Sequence, residues 1–334
     1  MSLRTKPASR FASASLALVL ICGAFTLRSE ARADWPERTI TIIVPFPAGG
    51  ANDLLGRLLA AELAPTLGQN IVVDNRVGAA GNIGLSAAAR APADGYTLLV
   101  TTNAVLINPL FDLSLSKTAY DTFKDFTPIA YLGGAPNFII TRSTSGIRSV
   151  ADLIAMAKAD PGKLTYASPG IGTSSQLAAE LFKLRANIDI RRISYDGSAP
   201  AMMAALSGTT DIASVGVGGL LDHIRSGELK GLVQTGGERW FDLPGVPTMA
   251  EAGIPNVVAE TSQMFLAPVG TPVLITEKLA RATQQIMQRP DVQAKMIQAG
   301  FLVEWEGPYE LHMHMVRETL MWKETIERAG LNTK

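Results

Sequence analysis

The chain has 334 residues, with 30 Lys and Arg against 30 Asp and Glu, and a single cysteine. That balance gives no sign of a nucleic-acid-binding surface. One cysteine, Cys22, rules out an internal disulfide and a multi-thiolate metal cage.

Residues 1–33 read as an export segment outside the fold. Arg4, Lys6 and Arg10 precede an apolar stretch from Phe11 to Leu27, and Ala31-Arg32-Ala33 has the small-x-small spacing of a cleavage site. A membrane anchor is the rival reading, but Ser13, Ser15 and Cys22 interrupt a stretch already short for a span. A lipoprotein site at Cys22 is disfavoured by Leu20-Ile21, which lack the small residues such sites use. Cleavage after Ala33 leaves an exported chain that starts at Asp34. The segment removes five Lys/Arg and one Glu, so 25 basic and 29 acidic residues remain, with a formal charge of −4 and no cysteine. The mature chain has no apolar run long enough for a bilayer and, at about 300 residues, suffices for two cores.

The first element is the strand Ile40 to Val44, an apolar run of the kind buried in parallel sheets. Pro45 to Gly50 breaks it, and Asn52 or Asp53 is placed to cap the next helix. Then come a strand at 71–73, the loop NRVGAAGNIG, a helix near 85–90, and a strand at 96–101 entered through Asp94-Gly95. An extended crossing segment covers 128–140. The rhythm then restarts with a helix at 149–159 and strands at 163–167, 191–195, 211–215 and 230–235, with a helix at 219–226. A second crossing strand covers 260–267, and helices near 276–288, 290–298 and 308–329 close the chain. Alternation of this kind predicts an α/β protein with mainly parallel sheets, in which ligands sit at the carboxyl ends of strands. Two such units joined by two crossings predict two lobes, 34–136 plus 260–334 and 137–259.

Four strand-to-helix loops are rich in glycine and small hydroxyl residues: Pro45 to Asp53, Gly78 to Gly84, Ser168 to Gln176 and Asp196 to Ala199. Each alone reads as an ordinary connection; together they read as a binding cleft. Glycine lets a ligand approach the backbone, and a helix N-terminus attracts anions without a cation. A charge-assisted hydrogen bond contributes about 1.5–3 kcal/mol and a helix N-terminus about 0.3–1 kcal/mol. Some four donors therefore reach about −8 kcal/mol, or micromolar affinity. On this reading neither Arg57 nor Arg76 is needed to hold the ligand.

Other chemistries find little support. GAAGNIG has the wrong glycine order for a dinucleotide turn, and no glycine turn is followed by a phosphate-loop lysine. His312 and His314 point about 200° apart on one helix, and His223 sits in another. None stands beside a serine of the four loops as a base would. Asp53, Asp196 and Asp211 make a conceivable carboxylate site, but read better as cap, turn and strand start. Among the aromatics, Phe46 and Tyr195 are placed to line the cleft or its core. No cofactor and no metal is expected.

VPFPAGGANDLLGR, DNRVGAAGNIG, APADGYTLLVTTN, SPGIGTSSQLAAELF, YDGSAPA and VPTMAEAGIP occur in this order from Trp35 to about Gly330. The set resembles the Bug-type, TctC-like solute receptors of tripartite tricarboxylate transport systems. That resemblance implies a type II periplasmic binding-protein fold that closes on a small organic carboxylate. It implies that Phe46, Ala48, Gly49, Ala51 and Asn52 hold a carboxylate through backbone N–H groups and bridging waters. Asn103, Gly170, Thr173, Ser174, Gln176, Asp196 and Val215 are the other matching positions. Asn52 stands where threonine is common and Gln176 where histidine is common. SVGVGGLLDHI replaces a more polar stretch, so a short or partly apolar acid is expected. The implied partner of this monomer is a membrane permease or, alternatively, a sensor kinase; an exported hydrolase or isomerase is a third reading.

Overall fold

The computed structural model describes residues 1–2, 35–111, 120–217, 219–255 and 257–331. The cleavage site after Ala33, and all but the first two residues of the expected export segment, lie outside the described residues. Among the described residues no helix is long and apolar enough to cross a membrane.

The first half-lobe runs β1 (Ile40–Val44), α1 (Ala51–Leu67), β2 (Ile71–Asn75), α2 (Asn82–Ala89), β3 (Thr97–Thr102), α3 (Ala104–Ile107), α4 (Thr122–Asp125) and β4 (Phe126–Gly133). The second lobe comes next, with β5 (Asn137–Arg142), α5 (Val150–Ala159), β6 (Thr165–Ser168), α6 (Ser174–Ala186), β7 (Arg191–Ser194), α7 (Ser198–Ser207), β8 (Ile212–Gly216), α8 (Leu220–Arg225) and β9 (Leu229–Gln234). The chain then returns through β10 (Gln263–Pro268), α9 (Val273–Met287), α10 (Pro290–Gln298) and α11 (Pro308–Arg328).

Two five-stranded sheets result, ordered β2-β1-β3-β10-β4 and β7-β6-β8-β5-β9. β1 pairs in parallel with β2 and β3, whereas β10 runs antiparallel between β3 and β4. In the second sheet β6 pairs in parallel with β7 and β8, and β5 runs antiparallel between β8 and β9. Both sheets are therefore mixed, with four strands one way and one reversed. Each reversed strand is the one that enters its sheet straight after a crossing. Ile40, Ile42, Ile43 and Val44 are all buried, as a strand covered on both faces requires.

The expected crossing strand over 128–140 is instead two strands, one in each sheet, with only residues 134–136 between them. The break falls at Gly133, which has φ +110° and a backbone so close to the Leu302 carbonyl that a Cβ would lie 1.9 Å from its oxygen. The second crossing also contributes a strand, β10, to the first sheet. The two crossings pair with each other: the Ala135 amide donates to Thr261 O at 3.2 Å and the Thr261 amide to Ala135 O at 2.7 Å. A further apolar cluster joins the lobes. Ile107 and Phe111, Leu177 and Ala178 of α6, Ala259, and Trp322 and Ile326 of α11 pack together, all buried.

Candidate ligand site

The turn after β1 closes differently from the capping expected at Asn52 or Asp53. Gly50 is the N-cap of α1 and no side chain caps it, because both residues lie inside the first helical turn. Asp53 reaches back from there, and its buried carboxylate accepts the Gly49 amide at 2.8 Å, Asn75 Nδ2 at 2.9 Å and Arg57 Nε at 2.9 Å. Asn75 also donates to Phe46 O at 3.0 Å. Burial pushes the Asp53 carboxyl up, but Arg57, the Gly49 amide and Asn75 outweigh it and hold the group below the ordinary carboxylate range. One loop amide is thus taken internally. The amides of Ala51 and Asn52, at the start of the helix, have no intrahelical acceptor.

The second loop presses on the first. Gly78, Ala79, Ala80 and Gly81 all have positive φ, and a Cβ on Gly81 would lie within 3.6 Å of Pro45 and Phe46. Left-handed backbone costs an alanine about 1–2 kcal/mol. Asn108 braces it, donating from Nδ2 to Ala80 O and Asn82 Oδ1 at 3.0 Å each.

In the second lobe Thr173 N-caps α6, its Oγ1 accepting the Gln176 amide at 3.3 Å and donating to Gly170 O at 2.9 Å. Gln176 is turned into its own loop, where Oε1 accepts the Gly172 amide at 2.8 Å. A Cβ on Gly172 would come within 2.5 Å of Asn108 Oδ1, so this loop sits against the residue that braces the loop of the other lobe.

Three consecutive residues of the second crossing gather these pieces. Thr261 Oγ1 shares a 2.7 Å hydrogen bond with Ser174 Oγ at the start of α6. Ser262 accepts the Asn103 amide on its carbonyl at 3.1 Å. Gln263 Oε1 accepts Asn52 Nδ2, from the start of α1, at 2.6 Å. Two helix N-termini, one from each lobe, are therefore fastened to one short segment. The four loops contain no Lys or Arg, so the positive potential they offer comes from main-chain dipoles, with the Asp53 carboxylate offset by Arg57 at 2.9 Å.

The expected site residues separate into groups. Ala48 and Gly49 are exposed, and Phe46, Ala51, Gly170 and Thr173 are half-buried on the loops. Asn52, Asn103, Ser174 and Gln176 are buried and hold the frame behind them. Asp196 is exposed at the turn into α7. Val215 lies in the core, opposite Phe138 on β5. Asn75, Asn108, Thr261 and Gln263 were not among the expected residues, since no local motif marks a side chain that bonds to a distant loop.

Catalytic and metal constellations do not assemble from these groups. His223 pairs with Glu228, His312 meets the edge of Phe123, and His314 lies between Glu306 and Glu318. Asp211 is occupied by the Thr165 amide and hydroxyl, both at 2.8 Å. Among the described residues no group of three or more His, Cys, Asp or Glu is placed to hold a metal ion.

The model of the tripartite tricarboxylate transporter family receptor, TctC, matches residues 55–331. Protein BugT of Bordetella pertussis is 34% identical over 300 residues, covering 90% of this chain and 92% of BugT. Among solved structures, R. palustris Rpa4515 with adipate superposes with a TM-score of 0.83 at 32% identity, covering 89% of this chain and 99% of that one. MatC from Rhodopseudomonas palustris with bound malate gives a TM-score of 0.79 at 29% identity, covering 87% and 100%.

Proposed function

Because the chain belongs to the TctC family of tripartite tricarboxylate transporter receptors, which are periplasmic solute-binding proteins, we propose that it captures a short dicarboxylate between its lobes. The observation that carries this is the fastening of two helix N-termini, one per lobe, to Thr261 and Gln263 beside loops with no cationic side chain. Two such termini suit a ligand with a negative group at each end. Adipate and malate in the two neighbours are acids of this class.

On this reading Phe46, Ala48, Gly49, Ala51 and Asn52 frame one carboxylate, mainly through the Ala51 and Asn52 amides. Gly170, Thr173, Ser174 and Asp196 frame the other, with Asn103, Gln176 and Val215 as the wall behind. The lobes divide as 34–136 plus 260–334 and 137–259. A ligand that touches both lobes only when they are shut favours the shut state. The monomer, exported and cleaved after Ala33, then presents the acid to a membrane permease.

A thermal-shift screen over mono-, di- and tricarboxylates with calorimetric follow-up tests the proposal. A ligand present at about 100 times its Kd adds about 2.7 kcal/mol to native stability, which raises Tm by some degrees. A dicarboxylate should lead the ranking. No response to any carboxylate, or turnover of one that is lost in Ser174→Ala, would overturn it.

A further inference from the structure

Glu318, on α11 and away from the glycine loops, is the most heavily engaged carboxylate among the described residues. Its Oε1 accepts Trp322 Nε1 at 2.9 Å and the side-chain amide of Asn103. Its Oε2 accepts Ser262 Oγ at 2.9 Å and lies 3.4 Å from His314 Nε2. Asn103 Nδ2 donates as well to Glu260 O at 3.0 Å, and its Oδ1 is buried without a partner. With both amide hydrogens committed to oxygens, the Asn103 side chain has a single sensible orientation. Glu318 sets it.

The surroundings make this a relay. Trp322 belongs to the apolar cluster that joins the lobes, Ser262 belongs to the second crossing, and Asn103 starts α3 at the carboxyl end of β3. The His314 ring stacks on Tyr131 with centroids 4.6 Å apart, and its Nδ1 is 3.1 Å from Glu306. The titratable groups facing the pair are Tyr131 from β4, Glu260 from the second crossing, and Glu304 and Glu306 from the stretch before α11. No Lys or Arg is among them, so His314 is the one group there able to carry positive charge.

We infer that Glu318 is a positioning residue for the cleft, holding Asn103 in place, and that the charge on His314 is transmitted through it to Asn103. When His314 is protonated, it draws on the same carboxylate that Asn103 and Ser262 use; when it is neutral, that counter-charge is gone. The Glu318 carboxylate, helped by Glu306 and opposed by burial, holds the His314 pKa above its ordinary value. The switch therefore operates above the ordinary histidine range.

The inference rests on the carboxylate-receptor reading for its meaning, yet its test needs no ligand. The side-chain amide resonance of Asn103, assigned from the spectrum of Asn103→Ala, is followed in the ligand-free protein between pH 5.5 and 9. It should shift with a midpoint above about 6.5 that is lost in both His314→Gln and Glu318→Gln and kept in Glu260→Gln. A resonance that stays flat in the wild type, or that keeps the same midpoint in His314→Gln, overturns the relay. His314→Gln, a partly exposed position, carries the test if Glu318→Gln fails to fold. Calorimetry with adipate and malate separates the two readings. Asn103 titration in a protein that binds no carboxylate sinks the receptor proposal alone, and carboxylate binding without that titration sinks only the relay.

Discussion

Asp53 accepts the amide of Gly49, four residues before it, at 2.8 Å, and Gln176 accepts the amide of Gly172, again four residues before it, at the same distance. The glycine loop of each lobe is thus pinned by a side chain from the first turn of the helix it opens. One pin carries charge and one does not. The charged pin puts a carboxylate beside a proposed anion site, tolerable because Arg57 and Asn75 share it.

Removing the charged pin is therefore costly. Asp53→Ala takes the acceptor from the Gly49 amide and from one Asn75 Nδ2 hydrogen, the other staying on Phe46 O, and should cost about 1–3 kcal/mol, measured by urea unfolding, with weaker carboxylate binding. The depressed pKa of Asp53 sets the pH window. A carboxyl held below its unfolded value contributes stability that is present above about pH 4 and lost as pH falls through the folded value. Acid unfolding of Asp53→Asn should begin from a lower plateau and be less steep.

Arg57 braces Asp53 from a half-exposed position, and Arg76 pairs with half-buried Asp74. Exposed pairs contribute about 0–1 kcal/mol. Arg57→Ala takes a charged hydrogen bond from buried Asp53 and should lose about 1.5–3 kcal/mol; Arg76→Ala should lose nothing measurable, and both should still bind the acid found by calorimetry. Loss of binding in folded Arg76→Ala would show that a cation holds the ligand.

Two glycines should respond in different ways. At Gly133 an added Cβ meets the Leu302 carbonyl at 1.9 Å and φ is +110°. Gly133→Ala should lose more than about 4 kcal/mol, an exceptional value, or fail to fold. At Gly49 no heavy atom lies within 4 Å of the built Cβ, though φ is +80°. Gly49→Ala should cost only the left-handed strain of about 1–2 kcal/mol. Chemical denaturation of the two variants side by side checks the contrast.

Trp322 is fully buried between α11, α6 and α3. Trp322→Ala should cost about 3–5 kcal/mol and loosen one lobe against the other. Faster hydrogen exchange at the starts of both α3 and α6, compared with wild type, would report that coupling.

Burial, and then Glu304, pushes the Glu260 carboxyl up. A raised folded value means stability that is present below the unfolded pKa and lost as pH rises through the folded one. Urea midpoints measured from mildly acidic to mildly alkaline pH should fall in the wild type and change less in Glu260→Gln. An equal slope in both proteins would contradict the assignment.

Most strands and the long helices are legible from period and punctuation, because β1 is apolar on both faces and α11 repeats its buried residues at helical spacing. The crossings misled in one respect. An unbroken extended pattern over 128–140 conceals a change of sheet, which hydropathy does not record since both strands are equally buried. Capping of α1 misled in another, because Asn and Asp suit an N-cap as well as the first turn.

What the chain order alone determined is the α/β rhythm, the four glycine loops without cations, and the family those motifs resemble, since each depends on neighbours in sequence. The tertiary structure decided which atoms those loops leave for a ligand. Asp53 and Gln176 use up two of the amides, Thr261 and Gln263 tie the helix starts together, and Glu318 reaches Asn103 across 215 positions of chain. Such pairings arise from where two sheets and a returning helix come to rest, and no local propensity encodes them.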